Sequence, residues 1–177
     1  MNYGGIETSL FNLIKNIDFK KYEVTLVLER KEGVFLGELP KNINVLEYRV
    51  SEDKNIFIRK IKNLIKRIKW AIKNYNKYDT SICYSTYSCP GSAVARISAK
   101  NKIIYVHSNY CEIYKDDKNK IYEFFNSVKL DKYNHIVFVS NEARERLSEY
   151  YPTLKDNMTT INNLIDHNRV LDLSKEK

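Results

Sequence analysis

Apolar positions along the chain follow two periods. After MNYGG, the residues Ile6, Leu10, Leu13, Ile14 and Ile17 recur at helical spacing, and residues 18–21 break the pattern, which predicts a first helix. YEVTLVL (22–28) and INVLEYRV (43–50) read as strands, with Gly33, Gly37 and Pro40 in the connection between them. A long amphipathic stretch, 56–75, predicts a second helix. TSICYS (80–85) reads as a strand, CPGS (89–92) as a turn, and 93–99 as a short helix. KIIYVH (102–107) is continuously apolar enough for burial on both faces. A helix is expected near 121–130 and a strand at HIVFVS (135–140), whose Ser140 is placed to cap a helix over 141–150 that Pro152 ends. MTTI (158–161) is a last short strand. Strands alternating with helices predict an α/β domain with a doubly wound parallel sheet.

In such a fold ligands bind at the carboxyl ends of the strands. His107 directly follows KIIYV, so its imidazole is expected at that edge, where it can donate or accept a hydrogen bond at neutral pH. Ser108 and Tyr110 extend the same edge, whereas His135 begins a strand and belongs to the opposite one. Gly4 and Gly5 precede the first helix, whose unpaired N–H groups favour an anion. The same glycines also suit nothing more than a tight turn, and GGIE matches neither a dinucleotide fingerprint nor a P-loop. No Ser-His-Asp or Cys-His arrangement and no carboxylate pair stands out, so the residues alone indicate a site without an evident acid, base or metal.

Composition narrows the class. With 43% hydrophobic and 29% charged residues in 177, the chain has the make-up of one soluble globular domain. No apolar run approaches the roughly 20 residues that span a bilayer. The first apolar stretch contains Glu7 and follows no basic segment, so the expected location is cytoplasmic. Cys83, Cys89 and Cys111 are odd in number and widely spaced, which fits buried or half-buried thiols better than a disulfide framework or a zinc site.

The net charge of +8 is a local property. Residues 54–78 hold nine Lys/Arg and no Asp/Glu; without them the charge falls to −1. At 100° per residue, Phe57, Ile61, Leu64, Ile65, Ile68, Ala71, Ile72 and Tyr75 share one face, expected to meet the core. Lys62, Lys66, Arg67, Lys69 and Lys73 fall on the other, with Trp70 among them. That back is either a solvated face or, given a tryptophan at headgroup depth, a surface for anionic lipid on the inner face of the plasma membrane. Nucleic acid is disfavoured for want of a stacking platform or a recognised motif.

Four stretches in order resemble the amino-terminal half of a GT-B glycosyltransferase of family 4, in its retaining capsule and cell-wall polysaccharide branch. GGIETSLFNLI is similar to that family's GG-x-E turn and first helix. YDTSICYSTYSCPGSAVARIS resembles its segment of Asp, strand and small-residue helix. KIIYVHSNY resembles a strand ending in His-Ser/Thr-Asp-Tyr, and HIVFVSNEARERLSEYYP with TINNLID resembles its VS helix and I-P-N-G-I-D segment. Asn162 stands where the family has Pro, Leu164 where it has Gly, and Asn109 where the branch has Asp.

The resemblance implies a Rossmann-like domain over 1–177 that handles a nucleotide-sugar donor and a glycan or lipid-linked acceptor, with no metal or further cofactor. It implies that Gly4 and Gly5 offer N–H groups to a phosphate, with Glu7 in the first turn. It further implies that His107 faces the transferred sugar, that Ser108, Asn109 and Tyr110 meet the acceptor, and that Asn163 lies at the crossing toward a second domain. Family members have a strand before the GG turn and a carboxyl-terminal domain with an E-x7-E pair. Only Met1, Asn2 and Tyr3 precede the turn here and no such pair follows, so the expectation is a domain truncated at both ends whose isolated chain is inactive. The competing expectation is a non-catalytic membrane- or partner-binding module derived from such an enzyme.

Overall fold

The computed structural model describes residues 4–165, and the chain divides into two compact units, Met1–Glu47 with Asn163–Lys177 and Tyr48–Asn162.

In the first unit, helix α1 (Gly5–Lys15) starts at an extended Gly4 and carries Glu7 in its first turn and Lys15 in its last, each sign suited to the helix dipole. Its inward positions Phe11 and Ile14 are buried. Phe11 stacks on Phe35 with ring centroids 4.7 Å apart. Phe35 lies in the 3-10 segment Val34–Glu38, which the chain enters through Gly33 at φ 121°, a conformation glycine adopts without strain. Strands β1 (Val24–Leu28) and β2 (Ile43–Glu47) pair in parallel, from Val24 opposite Ile43 to Leu28 opposite Glu47.

The second unit runs α2 (Ile56–Asn74), β3 (Tyr78–Cys83), α3 (Cys89–Ser98), β4 (Ala99–Val106), α4 (Tyr110–Ile113), α5 (Lys118–Ser127), β5 (His135–Phe138), α6 (Asn141–Tyr150) and β6 (Met158–Thr160). Its four strands lie side by side in chain order, every neighbouring pair parallel. The core gathers Ile104 and Val106 of β4, Ile136 and Phe138 of β5, and Ile121 and Phe125 of α5. One polar knot is built into it and is fully bonded. The Ser92 hydroxyl donates to the Val128 carbonyl at 2.6 Å and meets the Tyr133 hydroxyl at 2.7 Å.

Strands and helices follow the apolar pattern, and all strand pairs are parallel as predicted. The described strands form two sheets, one of two strands and one of four, where the alternation suggested one. Several boundaries move because polar side chains cap earlier than the apolar spacing indicates. Ser88 accepts from Gly91 N at 2.8 Å, so α3 starts at Cys89 with Pro90 in its first turn, a position that needs no N–H partner. Asp117 accepts from the N–H groups of Asn119 and Lys120, which starts α5 at Lys118. Ser140 caps α6 as expected, accepting from Ala143 N at 3.3 Å. Cys83 and Cys111 are buried free thiols, but Cys89 is exposed, against the expectation of a covered thiol, because it opens α3 at the surface.

Helix α2 reverses the expected faces. Asn55 caps it, accepting from Phe57 N and Ile58 N at 3.0 and 3.2 Å. Its inward side is polar: the Asn63 carboxamide oxygen accepts from Ser51 N at 2.6 Å, and Asn74 is buried. Trp70, expected among the lipid-facing cations, turns inward instead. Its indole N–H donates to the Ser98 hydroxyl at 3.0 Å and its ring meets Tyr48 edge-on at 5.4 Å. A half-buried indole N–H turned from water gains from such a partner, and α3 supplies it. Lys62 and Lys66 also bind the protein itself, Lys62 to the Asp53 carboxylate at 2.7 Å and Lys66 to the Arg49 carbonyl at 2.8 Å. Arg67, Lys69 and Lys73 are exposed as expected. The apolar positions expected in the core, Phe57, Leu64, Ile65, Ile68 and Ile72 among them, stand in solvent.

Candidate functional site

Because β3 to β6 are all parallel, the segments that follow them emerge along one edge of the sheet: 84–88, 107–110, 139–142 and 161–162. Three helices start there, α3, α4 and α6, capped by Ser88, Asn109 and Ser140. The edge therefore presents helix N-termini whose first N–H groups are partly satisfied by neutral side chains.

His107 follows β4 at this edge, as predicted. Its half-buried ring sits between two tyrosines, 4.5 Å from the Tyr84 ring centroid and 5.8 Å from that of Tyr105, and the two tyrosine rings are 4.9 Å apart. Both imidazole nitrogens are covered and neither completes a full-geometry hydrogen bond. Burial pushes the His107 pKa below its ordinary value, and the Tyr84 backbone opposes this more weakly. The ring is consequently neutral at physiological pH, with one nitrogen able to donate and the other to accept. Burial also raises the Tyr105 pKa, with Tyr84 beside it adding to the effect. The Thr86 hydroxyl bonds to the Tyr105 carbonyl and ties the end of β3 to β4.

The other predicted residues of this edge divide in their contacts. Ser108 is half-buried, its carbonyl accepting from Tyr110 N at 3.1 Å. Asn109 accepts from Glu112 N at 3.3 Å as the cap of α4, and its amide donates to the Glu142 carboxylate at 3.2 Å, which joins the segments after β4 and β5. An aspartate at 109 would place two carboxylates together there, so the asparagine is the compatible residue. Tyr110 packs into an aromatic cluster, stacked on Phe124 at 4.1 Å, and burial pushes its pKa up to about 12.

Gly4, Gly5, Glu7 and Asn163 belong to the first unit. The Glu7 carboxylate folds back over Gly4, into the space that a Cβ there would occupy. The carboxylate is also a built-in anion in the first turn of α1, where its charge suits the helix dipole. Gly5 is exposed and has open space around it. Asn163 is exposed and held to α1, its carboxamide oxygen accepting from the buried Ser9 hydroxyl at 2.7 Å, and the Asn12 amide donates to the Leu164 carbonyl at 3.2 Å. Among the described residues no group of three or more His, Cys, Asp or Glu is placed to hold a metal ion.

Sequence reasoning missed Tyr84, Tyr105, Glu142 and Ser9. Tyr105 was within reach, because it stands two residues before His107 and so shares its face of the strand. Tyr84 follows from the register, since Cys83 lies opposite Ile104 and the next pair is Tyr84 beside Tyr105. Ser9 and Glu142 gave no sequence signal, because each meets a partner from a distant segment.

The model of the sequence family described as Glycosyltransferase Family 4 matches residues 3–169. No match was found among curated proteins or among solved structures. The family match spans nearly the whole chain, including the GG turn, every strand and the His107 edge, and it agrees with the α/β architecture of parallel sheets and helices. This chain belongs to glycosyltransferase family 4.

Proposed function

We propose that this chain is the acceptor-side domain of a retaining glycosyltransferase that moves a sugar from a nucleotide-sugar to a growing polysaccharide or lipid-linked acceptor. The observation that carries this reading is the unmet hydrogen-bonding capacity of His107 at the carboxyl edge of the sheet. A covered imidazole without full hydrogen bonds is costly by about 1–3 kcal/mol, and a sugar hydroxyl reached by rotation of the ring offsets that cost. Partly exposed Tyr105 adds an apolar ring face with a polar tip, suited to the mixed surface of a sugar, and buried Tyr84 backs the His107 ring.

In this reading His107 acts as a neutral group that orients a hydroxyl near the reacting centre. Asn109 and Glu142 hold the neighbouring segments, and Asn163, fixed by Ser9, keeps the end of the domain in place. Gly5 leaves backbone N–H groups approachable by a phosphate. The contribution of such a site is positioning and electrostatic preorganisation.

Binding to immobilised oligosaccharides, compared with calorimetry on UDP-glucose and GDP-mannose, tests this assignment. Retention on glycan that falls about fivefold in His107→Ala, a ratio typical of one lost hydrogen bond, with feeble nucleotide-sugar binding, is the expected result. Tight nucleotide-sugar binding without glycan binding overturns the acceptor-side role.

A further inference from the structure

The basic helix holds the largest feature that the carboxyl edge does not use. Phe57, Ile61, Leu64, Ile65, Ile68 and Ile72 are each at least 43% exposed, with Phe57 at 72% and Ile72 at 82%. Scattered apolar surface residues are ordinary, but six on one face of one helix form a contiguous patch of the kind that marks an interaction site. The side turned to the protein is known from its contacts, through Asn63, Trp70 and Asn74. At about 100° per residue the apolar sector therefore points away from the unit.

Charge selects the occupant. Helix α2 has seven Lys/Arg and no acidic residue. On the helical wheel Lys60 and Arg67 border the apolar sector on one margin, and Lys69 and Lys73 on the other, while Lys62 is held by Asp53. A helix lying in the plane of a membrane has this layout, with apolar side chains in the acyl boundary and cationic stems reaching phosphates on either side. A protein groove for the same stripe would not call for unpaired cations on both margins of a helix that carries no acidic residue of its own. No helix among the described residues is long and apolar enough to cross a membrane, so the contact is peripheral.

We propose that α2 docks this protein on an anionic lipid surface through its outward apolar stripe, with the flanking lysines and arginines at headgroup depth and Trp70 facing the protein. This inference stands on α2 alone and does not depend on the glycosyl-transfer reading.

Flotation of the full chain with phosphatidylcholine vesicles, with and without phosphatidylglycerol, tests it. Binding is expected to need the anionic lipid. Each of Ile61→Ser, Ile65→Ser and Ile68→Ser is expected to weaken binding about tenfold, the value of one large apolar side chain removed from water. Lys60→Gln, Lys69→Gln or Lys73→Gln should each weaken it roughly fivefold. Unchanged thermal melts would show that the variants fold. Trp70 is the single tryptophan of the chain. Its fluorescence should resist quenching by brominated lipid, while a Leu64→Trp variant gains a quenched, blue-shifted component. Binding absent from anionic vesicles, equal on neutral ones, or sensitive to the lysines but not the isoleucines overturns the proposal. Quenching of Trp70 itself overturns it too, as does a concentration-dependent dimer in sedimentation that the Ile→Ser changes abolish.

Discussion

Helices α5 and α2 carry the same kind of message in their sequences and fold in opposite ways. In α5 the apolar positions Ile121 and Phe125 are fully covered and join the core with Val128 and Leu130. In α2 a longer apolar stripe faces solvent, and the covered residues are Asn74 and, in part, Asn63, Trp70 and Ala71. An apolar period identifies a stripe that is to leave water, and the partners available decide what it leaves water for. Polar contacts decided it for α2: Ser51, Ser98, the Arg49 carbonyl and Asp53 each bind a side chain on the helix's polar side.

This contrast can be broken most sharply by truncating one residue from each helix. Phe125→Ala should cost about 3–5 kcal/mol of stability in urea unfolding, as a large buried ring replaced by a cavity does. A loss below about 1 kcal/mol would mean that α5 is not the buried helix. Next in size are the polar fixings. Trp70→Phe removes the indole hydrogen bond to Ser98 and should cost about 1 kcal/mol. Ser88→Ala should cost a similar amount, about 1 kcal/mol, by uncapping α3 at the carboxyl edge. Smallest is Ile65→Ser in α2, expected within about 0.5 kcal/mol of the parent. A Phe125-sized loss at Ile65 would show that its face is covered by the protein after all.

Much of the fold was legible because strand content and helix starts rest on local physics. HIVF and KIIYV are β-branched or aromatic runs, and Ser140 before NEARERL is a capping signal that needs no tertiary context. His107 was legible for a similar reason, since a residue directly after a parallel strand lies at the ligand edge whatever the rest of the chain does. The orientation of α2 was not, because both its faces offered plausible partners and the hydrogen bonds that choose between them come from residues 49–53 and 98. The position of the Glu7 side chain at the GG turn was equally hidden. Only the folded chain shows the Glu7 carboxylate turned back over Gly4.

The protonation of His107 ties the site to stability. Its folded pKa lies below the ordinary histidine value of about 6.5, so the unfolded chain binds the proton more readily. The stability this gives is complete above that pH and is lost as the pH falls from about 6.5 toward the folded pKa. Imidazole NMR of the intact chain, titrated with and without an oligosaccharide acceptor, addresses the central claim most directly. A His107 pKa below 6.5 in the free protein, together with a shift of its ring nitrogen resonances when glycan is added, is the predicted outcome. A pKa at or above 6.5 with ring resonances indifferent to every glycan tested would contradict it.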